Sequence, residues 1–449
     1  MDLRNKKVTV VGLGSSGISS ALLLEEEGAI VSATDSSDSA AVRKNAALLE
    51  KKYIETEVGR HTESLLSGTE LLVVSPGVTD DSPPVRYAFE NNIPVISELE
   101  LGYYFCKGKI IAVTGTNGKS TVVSLLGGIM KASGKPFNVC GNIGNAFTGE
   151  VKKITNETLV ILEVSSFQLE RIEFFRPLVS VILNIAADHM DRYGSLKGYE
   201  DAKKRIFKNQ RENDIAVLNH ESPWSEGPKP PCRTLYFSSG NKVEGLYDAG
   251  GEITLSLRDK RKKIFNLRDL GLKAGYNKEN ILAATLVSLL VGAETGAIKE
   301  GIKGFKPLAH RFETVREIGG VTFINDSKAT NVDSARSALE SLDKRCVLIA
   351  GGRDKALPYE KIIPFLKKRV KTVVVIGEAR EKIKKAIKNT VPSVECGSLE
   401  EAVGEGYRLA GRDECVLLSP MCSSFDMFRD YKERGEAFKG AVMRLKDRA

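Results

Sequence analysis

The sequence predicts a three-domain α/β protein built on mostly parallel sheets. Its 449 residues are enough for about three domains of roughly 150 residues each. Short apolar runs alternate with helical patterns along the chain, which is typical of parallel, doubly wound sheets. Two of these runs lead through glycine-rich turns into helices, an arrangement that suits phosphate binding. We expect the domains at residues 1–106, 107–306 and 307–449.

The first glycine-rich turn lies close to the N-terminus. An apolar strand, Val8–Val11, is followed by the G-x-G-x-x-G sequence of Gly12–Gly17, and Asp35 ends the next predicted strand. This unit is typical of Rossmann-like domains, which hold a diphosphate on the helix N-terminus and a ribose on the acidic residue. A further predicted strand ends in the turn Ser75–Gly77, where a ligand could be reached. Taken alone, the pattern indicates a dinucleotide, but any diphosphate ligand needs the same close backbone approach.

The second glycine-rich turn predicts an ATP-binding loop. The apolar strand Ile110–Val113 leads into Gly115-Thr-Asn-Gly-Lys-Ser-Thr121, and a helix begins near Ser120. Backbone N–H groups and the helix N-terminus would bind phosphate oxygens, Lys119 would reach the β- and γ-phosphates, and the Ser120 hydroxyl would ligate Mg²⁺. The usual P-loop pattern has a glycine where this chain has Val113. An ordinary glycine-containing turn is therefore the alternative.

Polar residues follow the next strands of the central region. Glu163 lies at the end of the predicted strand Leu159–Val164, where a second contact to Mg²⁺ is expected beside a phosphate loop. His189, one of only four histidines, follows the predicted strand Val179–Ile185 and is a candidate functional residue. A structural, hydrogen-bonded histidine is the alternative. Asn142 lies in the loop Gly141–Gly144, which follows the phosphate-loop helix in the sequence. From this loop its side chain could reach a ligand.

The end of the central region is predicted to contain hairpins and a helix. The stretch Thr234–Leu267 has the pattern of hairpins, with a turn near Asp259. An apolar helix through Val291 follows, and Asn277 and Asn280 lie at its start. These two side chains could bind the edge of an adenine, or they could simply cap the helix.

The third domain is predicted to repeat the β/α alternation. The strand Val321–Asn325 leads to the polar loop Asp326–Asn331, and the strand Val347–Ala350 leads to Gly351–Lys355. Parallel strands present their carboxyl ends at one sheet edge, so these loops would face a shared cleft. Polar loops follow four strands of the chain. This number favours a ligand-binding site over polar residues that only stabilise turns.

Composition limits the class of protein. Hydrophobic residues make up 42% and charged residues 28% of the chain, and no apolar run reaches the length of a membrane span. Seven cysteines without a C-x-x-C pair fit reduced thiols in a cytoplasm. The net charge of +8 suits small polyanionic substrates, but the basic runs at 260–263 and 382–385 lack the interleaved aromatic residues of a nucleic-acid site. We expect a cytoplasmic monomer that neither binds nucleic acid nor inserts into a membrane.

Several motifs, in one order along the chain, resemble the Mur ligases of peptidoglycan synthesis. They are Gly115–Thr121, Glu163-Val-Ser-Ser-Phe-Gln168, His189-Met-Asp-Arg-Tyr193 and His310-Arg-Phe312. The resemblance runs from residue 8 to about residue 440, and the family's GTNGK[ST] loop also lacks the early glycine. Asp326–Asn331 and Ser419–Phe425 resemble the members that add D-glutamate to UDP-N-acetylmuramoyl-L-alanine.

The resemblance implies an ATP-dependent ligase of cytoplasmic peptidoglycan precursor synthesis. The carboxylate of UDP-N-acetylmuramoyl-L-alanine would attack the γ-phosphate of ATP, and the amine of D-glutamate would attack the resulting acyl phosphate. Two anions meet in the first step, so positive charge is required, and two Mg²⁺ ions are expected.

The resemblance also assigns residues. Catalysis would depend on Lys119, His189 and Lys203. ATP would be bound by Gly115, Thr116, Asn117, Gly118, Lys119, Ser120, Thr121, Asn277, Asn280, Arg311 and Asp326. The UDP-linked substrate would be bound by Gly14, Ser15, Ser16, Asp35, Ser75, Pro76, Gly77, Asn142 and Ser165, and D-glutamate by Thr330, Lys355, Ser424 and Tyr431. The metal ligands would be Ser120, Glu163, His189 and Lys203 in carbamylated form. Ser36 and Ser37 depart from a threonine-arginine pair that the family would place near the uracil.

Lys203 is the assignment for which composition gives no hint. Without the resemblance, Lys203, Lys204 and Arg205 would be interpreted as one solvated basic face. Lys203 and Phe207 are four residues apart, however, so on a helix they share a face with the apolar Ile206. An inward-pointing lysine is desolvated, which favours the neutral amine that can react with CO₂. The carbamate would supply the anionic oxygen that Mg²⁺ prefers.

Three other classes of protein share part of this pattern. A dehydrogenase would use the N-terminal glycine turn for NAD, but it needs neither the Lys119 loop nor the carboxylate beside it. Folylpolyglutamate synthetase shares the phosphate loop and the ligase chemistry, but it normally lacks a separate N-terminal domain of this kind. A non-enzymatic nucleotide switch leaves the polar loops of the third domain unexplained.

Overall fold

The computed structural model describes residues 2–222, 230–258, 260–271 and 277–447. The predicted turn residue Asp259 lies outside the described residues. The chain divides into two compact units. The first unit consists of Met1–Ile185, Glu200–Leu270 and Lys278–Phe305, and the second of Ala186–Tyr199, Gly271–Asn277 and Lys306–Ala449.

The first unit begins with a five-stranded, all-parallel sheet in the order β3-β2-β1-β4-β5. Its strands are β1 (Lys7–Val11), β2 (Ile30–Asp35), β3 (Glu55–Val58), β4 (Leu71–Val74) and β5 (Val95–Ser97). The helices that accompany them are α1 (Ser15–Glu26), α2 (Ala40–Glu50), α3 (Glu63–Leu66), α4 (Pro83–Glu90) and α5 (Glu98–Phe105). The strand order reverses between β1 and β4. Ligands of open α/β sheets bind at such a reversal, beyond the carboxyl ends of the strands.

The first unit also holds a nine-stranded sheet in the order β14-β13-β12-β11-β10-β9-β6-β8-β7. Its strands are β6 (Lys109–Thr114), β7 (Phe137–Gly141), β8 (Leu159–Glu163), β9 (Val179–Ile182), β10 (Ile215–Asn219), β11 (Arg233–Ser238), β12 (Gly245–Ala249), β13 (Glu252–Leu257) and β14 (Lys260–Asn266). The helices of this part of the chain are α6 (Lys119–Ala132), α7 (Ser166–Leu169), α8 (Met190–Tyr193), α9 (Leu196–Lys204), α10 (Lys278–Leu290) and α11 (Thr295–Lys303). Helix α8 and the first residues of α9 belong to the second unit.

The prediction of hairpins between residues 234 and 267 is only partly confirmed. Strands β12, β13 and β14 form antiparallel pairs, as expected. Strand β11 instead pairs with β12 in parallel, with Tyr236 opposite Gly245. After β11 the chain turns at Ser238, whose hydroxyl accepts the N–H of Asn241 at 2.6 Å. The prediction was wrong here because alternation of apolar residues shows that a strand is half-buried, but not in which direction its neighbour runs.

The second unit contains a six-stranded sheet in the order β15-β16-β20-β17-β18-β19. Its strands are β15 (Glu313–Ile318), β16 (Val321–Asn325), β17 (Cys346–Gly351), β18 (Val370–Ile376), β19 (Ser393–Glu395) and β20 (Cys415–Leu418). Only β15 runs antiparallel to its neighbour. The helices are α12 (Val332–Ser341), α13 (Ile363–Arg369), α14 (Arg380–Ile387), α15 (Leu399–Leu409) and α16 (Tyr431–Arg444). Because β16, β20 and β17 are adjacent and parallel, the loops that follow them lie at one edge of the sheet.

The last helix begins later than the sequence predicts. The β/α alternation of the sequence predicts a helix at about residues 424–446. In the structure α16 begins at Tyr431, because the Asp430 side chain accepts the N–H groups of Lys432 and Glu433 and caps it. Residues before the cap form turns in which the Ser424 carbonyl accepts two backbone N–H groups. Ser424 therefore lies on a loop and not on a helix.

The predicted α/β class with three mostly parallel sheets is confirmed. The boundaries at residues 106 and 306 stay predictions. No helix in the described ranges has the length and apolar character needed to cross a bilayer.

Candidate active site

The phosphate loop of the first unit lies between β6 and α6. Gly115 and Gly118 have positive φ angles of 148° and 87°, which glycine adopts without strain. The backbone of Asn184, just beyond β9, accepts the N–H of Thr116 at 2.9 Å. The Asn184 side chain accepts the N–H of Asn117 at 2.8 Å and donates to its carbonyl at 3.1 Å. Asn184, which sequence reasoning missed, therefore fixes the predicted ATP loop; the only signal was its position after a strand next to β6.

Lys119 and Asn280 both lie against this loop. The Lys119 ammonium donates to the carbonyls of Gly115 and Thr116, each at 2.8 Å. A Cβ atom at Gly118 would lie 2.3 Å from the Asn280 side-chain oxygen, so this close approach requires glycine. Asn280 is the third residue of α10 and not its cap. The loop thus has a cation and an amide beside it. The roles of Lys119 toward phosphate and of Asn277 and Asn280 toward adenine stay predictions.

Glu163 carries a buried carboxylate oxygen without a hydrogen-bond partner in the described part of the chain. It ends β8, opposite Val113 of β6, and its residue is 3% exposed. Its Oε1 atom accepts from the Asn142 amide at 2.8 Å, whereas Oε2 accepts no hydrogen bond from any residue in the described ranges. An orphaned buried carboxylate oxygen is unfavourable unless a cation or another donor satisfies it.

The residues here fit a magnesium ion. The Glu163 carboxylate and the buried Ser120 hydroxyl, in the first turn of α6, are oxygen ligands of the kind Mg²⁺ prefers. Over the described ranges, no cluster of three or more His, Cys, Asp and Glu side chains is arranged to hold a metal. A magnesium ion bound to few protein ligands, with phosphate and water oxygens completing its shell, is consistent with both facts.

Two residues that are predicted to contact the UDP-linked substrate form hydrogen bonds with other side chains of the chain in this structure. The Asn142 amide donates to Glu163, as described above. The Ser165 hydroxyl forms a capping box with Gln168 at the start of α7. Both residues lie just beyond the carboxyl ends of β7 and β8, the edge of the sheet that also carries the phosphate loop.

Lys203 is buried and reaches the phosphate loop. It is 1% exposed, and its ammonium donates to the Gly115 carbonyl at 3.0 Å. The neighbouring Lys204 forms an ion pair with Glu200, and 22% of its side chain is exposed. The interpretation as one solvated basic face is therefore wrong for Lys203. The α-helix ends at Lys204, and a 3₁₀ turn at Arg205–Phe207 follows, so the helical face was predicted one turn too long. Carbamylation stays a prediction.

The N-terminal glycine turn is held by polar contacts at the point where the strand order reverses. Ser75 donates its hydroxyl to the Gly12 carbonyl at 2.9 Å, so the predicted loops after β1 and β4 meet. A Cβ atom at Gly17 would lie 1.7 Å from the Gly12 oxygen, which leaves room only for glycine. Asp35 accepts the N–H of Leu13 at 2.7 Å and thus braces the turn. Gly14, Ser15 and Ser16 lie at the N-terminus of α1, and contact with a ribose or uracil stays a prediction.

Asp326 in the second unit holds the His310–Phe312 segment in place. Its carboxyl group accepts the N–H of Phe312 at 3.2 Å and the hydroxyl of Ser419 at 3.1 Å. His310 and Phe312 both have positive φ angles, and these tight turns flank Arg311. Burial raises the pKa of Asp326 to about 7, although these hydrogen bonds and Arg311 oppose the rise. Arg311 and Asp326, both predicted to bind ATP, are therefore close together, because the Asp326 side chain holds the turn that contains Arg311.

A buried aspartate that the site prediction omitted joins two predicted residues in the second unit. Asp188 accepts from the Lys355 ammonium at 2.9 Å and from the Asn331 amide at 3.1 Å. The His189 ring nitrogen lies 3.9 Å from the same carboxylate, and His189 has a φ of 54°. Burial alone would raise the pKa of Asp188, but the charges of Lys355 and His189 and the hydrogen bonds lower it below its ordinary value. The signal was present in the sequence, since Asp188 immediately precedes His189.

The remaining predicted D-glutamate residues lie on loops after β16 and β20 and at the start of α16. Thr330 donates its N–H to the Lys328 carbonyl at 2.9 Å. The Lys328 ammonium lies 3.8 Å from the centre of the Tyr431 ring, and Ser327 donates to the Tyr431 carbonyl at 2.8 Å. Ser424 is buried on the loop after β20. The structure thus brings these predicted residues to one edge of the third sheet.

The phosphate loop, the buried carboxylate beside it and the second glycine turn define an α/β protein that binds phosphorylated ligands. The chain belongs to the Mur ligase family. Residues 6–97 match the family's MurD-like N-terminal domain, residues 113–288 the Mur ligase middle domain, and residues 310–422 the glutamate ligase domain.

Similar proteins cover the chain from end to end. It is 42% identical over 448 residues to the UDP-N-acetylmuramoylalanine–D-glutamate ligase of Koribacter versatilis, covering 99% of each chain. It is 40% identical over 453 residues to the enzyme of that name from a Thermoanaerobacter species, covering 99% of this chain and all of the other. Among solved structures, the MurF ligase of Thermotoga maritima in complex with ADP shares the fold, with a TM-score of 0.61, 16% identity and 99% coverage of each chain.

These similarities decide between the alternatives left by the sequence. The match of residues 6–97 to a Mur ligase N-terminal domain favours a ligase over a dehydrogenase or a nucleotide switch. Folylpolyglutamate synthetase is disfavoured by the same match and by relatives of one name over the full length. The prediction of an ATP-dependent Mur ligase is therefore confirmed.

Proposed function

We propose that the chain joins D-glutamate to UDP-N-acetylmuramoyl-L-alanine, using ATP, in the synthesis of a peptidoglycan precursor. Full-length relatives at 40% and 42% identity carry this activity in their names. The observation that carries the proposal is the orphaned Oε2 atom of Glu163 beside the Lys119 loop. It supports a magnesium–ATP site, which a ligase of this kind requires.

The reaction has two steps. A carboxylate oxygen of UDP-N-acetylmuramoyl-L-alanine forms a bond to the γ-phosphorus of ATP, the bond to the bridging oxygen breaks, and ADP leaves. The product is an acyl phosphate. The amine nitrogen of D-glutamate then attacks the activated carbonyl carbon, phosphate leaves with the electron pair, and the nitrogen loses a proton. Two anions meet in the first step and phosphate departs in the second, so fixed positive charge favours both transition states.

Residues of the first unit serve the first step. The loop N–H groups and the ammonium of Lys119 bind the triphosphate, and Lys119 exchanges its present carbonyl partners for phosphate oxygens. Ser120 and Glu163 would hold Mg²⁺, which when bound neutralises charge on the phosphates. Lys203, at the same loop, would serve as a further metal ligand in carbamylated form. His189, which belongs to the second unit, is separately proposed as a metal ligand. Two ions are expected.

The glycine turn of the first sheet would bind the diphosphate of the UDP-linked substrate. Ser15 and Ser16 supply N–H groups at the start of α1, an electropositive helix end. Asp35 and the turn Ser75–Gly77 lie against this glycine turn, through the hydrogen bonds to Leu13 and Gly12. Ser36 and Ser37, after the aspartate, stand where the family resemblance implies a threonine–arginine pair near the uracil, so uracil contacts are the part of this site least like the family pattern.

Residues of the second unit would bind the incoming amino acid. Lys355 is the cation proposed for a glutamate carboxylate, and in this structure it pairs with Asp188. Thr330, Ser424 and the backbone near Tyr431 complete the proposed D-glutamate site. Arg311 and Asp326 are proposed to contact ATP.

The ligase is proposed to act as a monomer in the cytoplasm, where ATP and the UDP-linked substrate are made. Seven free cysteines, with no disulfide among the described residues, fit that compartment. Light scattering during size-exclusion chromatography should give the mass of one chain.

Phosphate release from ATP tests the proposed function. Release should require UDP-N-acetylmuramoyl-L-alanine and should be sustained only with D-glutamate present. Lys119→Ala should lose about 10²-fold or more in rate, because the loop loses the cation on its phosphates, while its circular dichroism spectrum stays that of the native fold. Release that is indifferent to both substrates would contradict the proposal.

A further inference from the structure

Arg434 is a buried cation that forms no ion pair with any described residue. It lies on α16, and the residue is 1% exposed. Burial lowers the pKa of Arg434 to about 10, which leaves the guanidinium charged at neutral pH. A buried charge without a counter-ion is unfavourable unless hydrogen bonds satisfy it. The hydrogen bonds of Arg434 therefore explain its place in the fold.

The guanidinium joins two loops at the carboxyl edge of the third sheet. Its Nε atom donates to the Ser327 hydroxyl at 3.0 Å, and Nη2 donates to the Ser327 carbonyl at 2.8 Å. Nη2 also donates to the Cys422 carbonyl at 3.1 Å, and Nη1 to the Ser423 carbonyl at 3.3 Å. Ser327 follows β16, whereas Cys422 and Ser423 follow the neighbouring strand β20. One side chain thus fixes the spacing of both loops.

A third loop packs against the same group. At Gly352, after β17, a Cβ atom would lie 3.0 Å from Nη1 of Arg434 and 2.3 Å from the Ser423 carbonyl oxygen. The next residue, Arg353, donates its N–H to that carbonyl at 2.9 Å. The planar fork of an arginine satisfies several carbonyls at fixed angles, which the single ammonium of a lysine cannot do.

We infer that Arg434 is a positioning residue for the incoming amino acid. This inference rests on the proposed function, because the three loops that meet at the guanidinium carry Thr330, Lys355 and Ser424, the residues proposed to bind D-glutamate. The hydrogen bonds of Arg434 go to Ser327, Cys422 and Ser423 on these loops, so its effect on the amino acid is indirect. Arg434 holds these loops at the spacing that places their side chains on one small amino acid. The phosphate loop belongs to the first unit and shares none of these hydrogen bonds.

The test is Arg434→Lys, with Arg444→Lys as the matched control on the same helix. Arg444 pairs with Glu400, and 61% of its side chain is exposed. Arg434→Lys should raise KM for D-glutamate about tenfold or more, as expected for losing several charge-assisted hydrogen bonds, while KM for ATP stays near the wild-type value. Acyl phosphate formed without D-glutamate, trapped as a hydroxamate by hydroxylamine, should form at the wild-type rate. Arg444→Lys should change none of these quantities.

A second variant keeps the guanidinium and removes the Ser327 hydroxyl, which accepts from Arg434 and donates to the Tyr431 carbonyl. Ser327→Ala should raise KM for D-glutamate by a smaller factor than Arg434→Lys. If Arg434→Lys yields no folded protein, Ser327→Ala serves as the test of the inference. A merely structural role would lower the melting temperature and leave KM for D-glutamate unchanged, which would overturn the inference. An equal effect on ATP and D-glutamate would also overturn it. A wild-type enzyme that forms the acyl phosphate but never uses D-glutamate would overturn the proposed function and this inference with it.

Discussion

The ammonium of Lys203 lies 3.0 Å from the carbonyl oxygen of Gly115, the residue that opens the phosphate loop. The side chain crosses from α9 to the end of β6, and the residue is almost fully buried. Its neighbour Lys204 instead pairs with Glu200 on its own helix. Two adjacent lysines therefore have different surroundings, and of the two only Lys203 contacts the proposed ATP loop.

Lys203→Ala should be nearly inactive, whereas Lys204→Ala should change turnover little. The reason is that Lys203 reaches the phosphate loop, where its carbamate would supply a metal ligand. A short carboxylic acid such as acetate should partly restore Lys203→Ala by supplying the missing anionic oxygen. The measurement is the rate of phosphate release with increasing acetate. Equal behaviour of the two variants, or no rescue at any acetate concentration, would show that the carbamate assignment is wrong.

Asn184→Ala should raise KM for ATP about tenfold, because the backbone of the loop residue Asn117 loses both hydrogen bonds to the Asn184 side chain. KM for D-glutamate should stay close to wild type. Asn209→Ala is the control, since that amide donates only to the carbonyls of Glu173 and Phe175 in the same unit. Initial rates at varied ATP measure the effect. An unchanged KM for ATP would mean that the loop does not depend on Asn184.

The N-terminal glycine turn should bind UDP and the UDP-linked substrate but not NAD. Gly17→Ala should abolish that binding, because the new Cβ atom would collide with the Gly12 carbonyl at 1.7 Å. Gly296→Ala is a suitable control, since no atom lies within 4 Å of the position of its Cβ. Titration calorimetry on the whole protein gives both affinities. NAD binding at micromolar concentration without UDP binding would reverse the assignment.

The contribution of Asp326 to the stability of the ligand-free protein should fall as pH rises from 3.8 to about 7, and it should level off above that. Burial raises its pKa from 3.8 to about 7, so between these values the folded protein keeps a proton that the unfolded chain has released. Each unit of such a rise contributes about 1.4 kcal/mol that is present at low pH and lost as pH passes the folded pKa.

Asp326→Asn is the variant that tests this contribution. Its free energy of unfolding, from urea titrations at pH 5 to 8, should fall less with pH than that of the wild type. Parallel curves for the two proteins would indicate that Asp326 titrates near its ordinary value.

Features set by local geometry were predictable from the sequence. The glycine turns at Gly12–Gly17 and Gly115–Gly118 are fixed by neighbouring residues, because positive φ angles and close backbone contacts leave little choice of residue. The position of Glu163 was also predictable, because a residue at the carboxyl end of a strand in a parallel sheet lies at the edge where ligands bind.

Contacts between distant parts of the chain were not predictable. Asp188 accepts from Lys355 across 167 residues of sequence, and Arg434 donates to Ser327 across 107 residues, contacts that apolar periodicity does not encode. Strands β15 and β19 were missed because most of their residues are exposed or only partly buried and show no clear alternation.

The mass of the product tests the central claim most directly. The wild-type protein, supplied with ATP, Mg²⁺, UDP-N-acetylmuramoyl-L-alanine and D-glutamate, should yield a compound heavier than the UDP-linked substrate by one glutamyl residue. One phosphate and one ADP should appear for each molecule formed, and L-glutamate serves as the comparison. An unchanged substrate mass after complete ATP hydrolysis, or an equal yield when D-glutamate is omitted, would contradict the assignment as a D-glutamate-adding ligase.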